Sequence, residues 1–136
     1  MPLSTDATAH TPVDARVANV VRRVWGFEEL RPLQAESIAA TLAGRDSLTV
    51  MPTGGGKSLC YQVPSLVTGR LTLVVSPLIA LMRDQVAGLR LAGVKAAALH
   101  SHTSDTERAE IRANAASGEL RLLLVAPERL MSGGGG

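Results

Sequence analysis

The sequence predicts an α/β fold in which a parallel sheet is covered by helices on both faces. Three observations lead to this prediction. Short apolar runs of strand type recur along the chain, segments with helical apolar spacing separate them, and a capping residue, a proline or a glycine stands at most junctions. Strands that alternate with helices pair in parallel through right-handed crossovers. Ligands of such sheets bind beyond the carboxyl ends of the strands.

The composition is that of one globular domain or part of one. The chain has 136 residues, of which 46% are hydrophobic and 19% are charged. Aromatic residues make up only 2%, which argues against a stacking platform for single-stranded nucleic acid, and the net charge of +2 does not by itself indicate nucleic-acid binding. The single Cys60 excludes an internal disulfide. Without a signal peptide or an apolar run of membrane-spanning length, the sequence predicts a cytoplasmic protein with no membrane contact.

Helix-start and helix-stop residues define the first part of the chain. Thr11, Pro12 and Asp14 predict the start of a helix that ends near Gly26. Four strands are predicted, over 46–51, 71–75, 95–99 and 120–125, and the second of them should be covered on both faces. A helix from Pro32 to Ala43 stops at Gly44, and a helix runs from Lys57 toward Val67, which Pro64 should end or bend. Two further helices run from Ser76-Pro77 to about Leu91, with Leu78, Leu81 and Met82 in the core, and from the Ser104–Glu107 capping box to Ser117-Gly118.

The segment from Met51 to Ser58 has the residue order of a polyphosphate-binding loop. A strand, three consecutive glycines and a helix start direct several backbone N–H groups at one point. In that geometry Lys57 reaches the β- and γ-phosphates, and the Ser58 hydroxyl binds Mg²⁺. Because Met51 occupies the first glycine position of the pattern G-x-x-x-x-G-K-[ST], the loop alone is also compatible with a glycine-rich surface turn followed by an ordinary lysine.

Four segments together resemble the first motifs of RecQ-type DNA helicases, which are motors of superfamily 2. The segments are Leu30–Gln34, Met51–Gln62, Val75–Gln85 and Val125–Leu130, and the resemblance runs from about Val13 to Met131. Met51 is the residue this family tends to place at that loop position. The resemblance implies an incomplete P-loop NTPase domain of the RecA-like type over 12–131, between a disordered tail at 1–11 and a glycine-rich tail at 132–136.

The resemblance implies an ATP site with Mg²⁺. Gln34 would contact the adenine edge through its amide, while Phe27 and Arg31 would stack on the two faces of the ring. Lys57 would hold the β- and γ-phosphates and Ser58 the Mg²⁺, as the two residues nearest the chemistry. The other implied nucleotide-binding residues are those of the loop, Met51, Pro52, Thr53, Gly54, Gly55 and Gly56.

The resemblance also implies contacts to DNA, mostly to its backbone, at a junction of single strand and duplex. The implied residues are Ser76, Pro77, Arg83, Asp84, Gln85, His100, Ser101, Pro127, Glu128 and Arg129. For Arg83, Asp84 and Gln85 a solvated helix face is an equal alternative.

Several components of such motors are missing from the sequence, among them the second motor domain with its arginine finger and the acid that completes the ATP site. They need an acidic pair of the DEAH type after an apolar strand, to complete Mg²⁺ binding and orient the attacking water. Glu128 follows an apolar strand, but Pro127 intervenes and no Asp is present there. The expected function is therefore that of the ATP-binding portion of a 3′-to-5′ DNA helicase of repair and recombination, in a chain that does not unwind DNA and hydrolyses ATP at background rates. The alternatives are a small P-loop kinase or transferase, and a non-catalytic module that binds DNA or a partner.

Overall fold

The computed structural model describes residues 14–52 and 56–131, which fall into two compact units that divide after Thr68. Each unit is described by itself. The predicted tails at 1–11 and 132–136, the helix-starting Thr11 and Pro12, and the loop residues Thr53–Gly55 lie outside the described residues.

The first unit is helical. It contains α1 (Ala15–Val20), which continues as a π-helical turn (Val21–Trp25), α2 (Pro32–Leu42) and α3 (Lys57–Thr68). Asp14 caps α1, because its carboxylate accepts a hydrogen bond from the Arg16 N–H at 2.8 Å. The predicted stop is confirmed, since Gly26 adopts a φ of 73° after the π-helical turn.

Three helices of this unit share one apolar core. Its buried residues are Val17, Val20, Val21, Ile38, Leu59 and Val63. Pro64 does not end α3 early, because the helix continues to Thr68, one residue beyond the predicted Val67. The hydroxyls of Ser65 and Thr68 donate to the carbonyls of Gln62 and Pro64, and Val63 is fully buried beside the proline. Burial of Val63 and Pro64 offsets the backbone hydrogen bond that proline cannot donate.

The predicted strand over 46–51 is also wrong. Residues 45–52 have no regular secondary structure, and the side chains of Leu48 and Val50 are 92% and 80% exposed. A strand forms only where a neighbour completes its hydrogen-bond ladder. Among the described residues of this unit no second strand is present to do so.

The second unit contains a three-stranded parallel sheet. Its strands are β1 (Thr72–Val75), β2 (Ala96–Leu99) and β3 (Leu122–Val125) in the order β1-β3-β2, and the helices are α4 (Ile79–Leu91), α5 (Asp105–Ala116) and α6 (Pro127–Met131). In the register Val75 and Leu99 both lie opposite Val125. The predicted alternation of strands with helices and their parallel pairing are confirmed.

Burial in this unit differs from the prediction at β1 and at the start of α4. Leu73 and Val75 are about half exposed while Thr72 and Val74 are more buried, so one face of β1 is less covered than the other and the predicted cover on both faces is not found. Leu78 and Leu81 are exposed as well, so the expectation that they belong to the core is wrong. The buried stripe of α4 consists of Met82, Val86 and Leu89, because the helix begins only at Ile79.

The capping box of α5 is confirmed by both of its hydrogen bonds. The Glu107 N–H donates to the Ser104 hydroxyl and the Ser104 N–H donates to the Glu107 carboxylate, each at 3.1 Å. Within the ranges that the structure describes, no helix is long and apolar enough to cross a membrane.

Candidate nucleotide and nucleic-acid sites

A cavity of about 360 Å³ lies in the first unit at the start of α3. It brings together several of the residues for which the sequence predicted contacts to adenine and phosphate. The lining residues are Trp25, Phe27, Glu29, Arg31, Gln34, Gly56, Ser58 and Leu59.

Gln34 connects the beginning of α2 to the glycine loop. Its Oε1 accepts a hydrogen bond from the Arg31 N–H at 2.9 Å, and its Nε2 donates to the Gly56 carbonyl at 2.9 Å. These contacts hold a side chain that is only 4% exposed. An amide has two acceptor lone pairs and two N–H groups, so one of each remains after the contacts with the described residues. The remaining pair matches the N6–H donor and the N7 acceptor of adenine.

Local sequence explains this geometry. Pro32 occupies the first turn of α2, so Gln34 lies at the third helical position, from which its side chain folds back to the Arg31 N–H. Gly56 has a φ of +80°, and a Cβ there would overlap the Gln34 Nε2. Glycine is thus required at position 56 by backbone conformation and by the close approach of Gln34.

The other predicted nucleotide-binding residues are distributed around the loop. Phe27 and Arg31 line the cavity, and Phe27 is 49% exposed, so one face of its ring is open to a ligand. Lys57, Met51 and Pro52 do not line the cavity. Lys57 is exposed at the first position of α3, and Met51 and Pro52 precede the loop. Sequence reasoning missed Trp25 and Glu29 as lining residues. Their positions two residues before and after Phe27 were the available signal.

Cys60 lies one turn into α3 and is partly buried. Burial raises the pKa of its thiol, and a hydrogen bond with Ser37 opposes that shift. The side chain therefore stays protonated at neutral pH, which agrees with a packing role.

The predicted DNA-contacting residues all lie in the second unit, at or near the carboxyl ends of its strands. The Ser76 N–H donates to the Val125 carbonyl and the Ala126 N–H donates to the Leu99 carbonyl, both at 3.0 Å. The three strands therefore end at one level, and Ser76, His100 and Pro127 follow them at the same edge of the sheet.

Charged side chains gather around His100 at this edge. Burial lowers the pKa of His100, and the charges of Arg83 and His102 lower it further, while those of Glu107 and Glu128 raise it. Arg83, His100 and Glu128 are thus close enough to interact. Asp84, Ser101 and Pro77 are exposed, while Gln85 and Arg129 are partly buried. In the described ranges, no group of three His, Cys, Asp or Glu side chains is arranged to hold a metal ion.

Comparison with known proteins agrees with this geometry. The family described as DEAD/DEAH box helicase matches residues 31–133. The chain is 50% identical over 112 residues to the ATP-dependent DNA helicase RecQ of Synechocystis, covering 82% of this chain and 23% of the relative. It is 46% identical over 121 residues to that of Pasteurella multocida, covering 89% of this chain and 19% of the relative.

Solved structures give the same result for the fold. A DUF1998 helicase, MrfA, whose crystal structure contains DNA, superposes with a TM-score of 0.73 at 25% identity over 92% of this chain and 19% of that one. A hypothetical ATP-dependent RNA helicase from Sulfolobus tokodaii superposes with a TM-score of 0.66 at 22% identity over 88% of this chain and 36% of that one.

The chain spans about a fifth of the length of the curated relatives that it matches. The match to the family covers most of the chain, and the sheet is that of an incomplete α/β P-loop domain. The chain belongs to the DEAD/DEAH box helicase family, and its predicted resemblance to RecQ-type members is confirmed.

Proposed function

We propose that this chain is the ATP-binding portion of a RecQ-like helicase and that it binds adenine nucleotide in the cavity of the first unit. The observation that carries the proposal is the position of Gln34, whose amide keeps one donor and one acceptor available while its other two sites are hydrogen-bonded. A buried amide fixed in this way discriminates adenine from bases with a different edge, because a mismatched base leaves buried polar groups unpaired.

The base and the phosphates have separate binding groups. Phe27 and Arg31 provide an aromatic face and a guanidinium plane beside Gln34, and both stack on purines. The start of α3 supplies N–H groups and about 0.3–2 kcal/mol for an anion. Micromolar affinity needs about 8 kcal/mol. Lys57, with its exposed ammonium group, and the contacts to the base supply the rest.

Mg²⁺ should bind together with the nucleotide. Ser58 lines the cavity, and its hydroxyl would hold the ion, whose positive charge would offset that of the phosphates. Phosphate oxygens and water would supply the other positions, since no cluster of acidic side chains adjoins the cavity among the described residues.

DNA is the second proposed ligand, bound through its backbone at the carboxyl edge of the sheet. α4 begins there, and its N-cap residue Leu78 makes no side-chain capping hydrogen bond, so N–H groups of the first turn remain available to a phosphate. Arg83 adds a positive charge one turn further on. We propose a single-strand/duplex junction as the substrate of the complete helicase, with 3′-to-5′ unwinding in repair and recombination.

The test is a set of three assays on the purified chain. We expect saturable ATP binding that is lost in Lys57→Ala, DNA binding that weakens with salt, and ATP hydrolysis at background rates. A DNA-stimulated ATPase abolished by Lys57→Ala would contradict the proposed lack of turnover. Phosphoryl transfer to a small acceptor would indicate the kinase alternative, which the comparisons do not favour. Salt-sensitive DNA binding without any nucleotide binding would indicate the non-catalytic module.

A further inference from the structure

His100 closes a short loop at the carboxyl end of β2. We call residues 100–103 the His100 loop. Its hydrogen bonds run from the His102 N–H to the His100 Nδ1 at 3.1 Å, from the His100 N–H to the Thr103 Oγ1 at 2.9 Å, and from the Thr103 N–H to the His100 carbonyl at 3.1 Å.

The first of these bonds fixes the tautomer of the ring. Because Nδ1 accepts a hydrogen bond from a backbone N–H, it carries no proton, and the proton of the neutral imidazole is on Nε2. The contact from a side-chain acceptor to the N–H two residues later is the one that Asn makes in an Asx-turn. In His100 the ring Nδ1, which can be protonated, accepts the hydrogen bond that the side-chain oxygen of an asparagine accepts in such a turn.

His100 is buried, while the two residues that follow it are open to solvent. His100 is only 5% exposed, whereas Ser101 and His102 are exposed. We propose that His100 is a positioning residue, which in its neutral form folds the His100 loop and thereby presents Ser101 and His102 to the nucleic-acid backbone. This inference rests on the proposed DNA-binding edge.

The charges around His100 favour the neutral form. The groups that act on the ring are Arg83 on α4, His102 in the loop, Glu107 on α5 and Glu128 on α6. Burial, Arg83 and His102 together lower the pKa of His100, although the two carboxylates oppose them. Protonation would place a second N–H opposite the His102 N–H, and the loop would lose that bond.

The same loop closes the outer edge of β2. The Thr103 hydroxyl donates to the Ala98 carbonyl at 3.1 Å, and the Arg90 Nε donates to the Ala96 carbonyl at 2.9 Å. Residues 95 and 99 direct their carbonyls to β3, so residues 96 and 98 face outward. Loss of the His100 loop would uncover one of these carbonyls, and a paired edge of this kind limits unwanted strand addition.

The experiment combines NMR on the full chain with DNA binding. At pH 7.5 the ring ¹⁵N shifts of His100 should show an unprotonated Nδ1 and a protonated Nε2, and the His102 amide should be protected from hydrogen exchange. His100→Leu removes the acceptor of the His102 N–H, so we expect the exchange of this amide to accelerate roughly two- to tenfold.

Two further variants separate loop position from general damage. His100→Asn retains an acceptor for the His102 N–H, so it should recover most of the protection and of the DNA affinity that His100→Leu loses. Protection and affinity should decline toward pH 5.5 in the parent chain but not in His100→Asn. Thr103→Val should loosen the loop as His100→Leu does. The matched control Thr106→Val changes an exposed threonine on α5 that makes none of these bonds, and it should leave His102 exchange unchanged.

The possible outcomes are distinct. A protonated Nδ1, or a His102 amide that exchanges equally fast in the parent chain and in His100→Leu, would overturn the positioning role. A His100→Asn chain that behaves as His100→Leu would overturn it too. If the loop measurements agree with expectation but the parent chain binds no DNA, the positioning role of His100 in the loop stands and the proposed DNA function fails.

Discussion

The Gln34 side-chain nitrogen lies 2.9 Å from the Gly56 carbonyl oxygen, so the residue expected to contact the base is bonded directly to the loop expected to hold the phosphates. The two residues are 22 positions apart in the chain. Because Gln34 also accepts the Arg31 N–H, its amide is oriented before a ligand arrives. A preorganised side chain loses little conformational freedom on binding.

Substitution of Gln34 by Ala should reduce both affinity and base selectivity. It removes the amide and leaves the Gly56 carbonyl without its partner, at about 1–3 kcal/mol for a buried group. We expect ATP affinity to fall roughly tenfold or more, and the preference for ATP over GTP to disappear. Titration calorimetry with both nucleotides measures this. Glu36→Ala, an exposed change on the same helix, is the control. An unchanged ATP preference in Gln34→Ala would show that another residue selects the base.

Substitution of Gly56 by Ala should disrupt the same link from the other side. The positive φ costs about 1–2 kcal/mol for a residue with a Cβ, and the Cβ would displace the Gln34 amide. We expect a lower melting temperature and loss of nucleotide binding. Gly88→Ala is the matched control, because Gly88 lies inside α4 with open space at its Cβ. There alanine should stabilise by about 0.5–1 kcal/mol. Equal behaviour of the two variants would contradict the geometry at Gly56.

The stability of the chain should depend on His100 at mildly acidic pH. The pKa of His100 is lowered from its ordinary 6.5, so the unfolded chain binds more protons than the folded chain between the two values. The free energy of unfolding should therefore fall as the pH drops through 6.5, and the loss should level off below the folded pKa. The lowered pKa of Glu107 acts only below its ordinary 4.5. Urea unfolding of the parent chain and His100→Asn from pH 7.5 to 5.5 measures the effect. A constant difference between them would refute it.

Ser104→Ala tests the capping box of α5. The variant removes the hydroxyl that accepts the Glu107 N–H, and loss of such a cap costs about 0.5–2 kcal/mol. Chemical denaturation followed by circular dichroism should show this loss, with the helical signal before the transition nearly unchanged. Thr106→Ala, an exposed change on the same helix that makes neither bond of the box, serves as the control. If the two variants lose the same stability, the capping box does not anchor the helix.

Local signals predicted much of the fold. Pro32, the box at Ser104 and Glu107, and the β-branched and leucine-rich strands placed most elements correctly, because each signal acts within a few residues. Local signals could not predict whether residues 46–51 form a strand. Their apolar pattern is suitable, but strand formation depends on a pairing partner elsewhere in the chain. The exposure of Leu73 and Leu78 likewise depends on which elements pack against them, and local signals do not show this.

The sequence predicted which residues form the candidate sites better than it predicted the contacts among them. Gln34, Arg31 and the loop were identified from motifs, and the structure adds that Gln34 bonds to Gly56. Trp25 and Glu29 were missed because they belong to no motif and reach the cavity only through the turn after the π-helical segment. The buried Nδ1 contact of His100 was likewise invisible, because a lone histidine gives no sign of its tautomer.

The most direct test of the account is NMR titration of the chain with ATP and Mg²⁺. We expect saturable chemical-shift changes at Phe27, Gln34 and Gly56 that are absent in Lys57→Ala, and weaker changes with GTP. The residues of α5, such as Asn114, should remain unperturbed. Absence of saturable changes, or changes centred away from the cavity, would contradict the claim that this chain is a nucleotide-binding portion of a helicase.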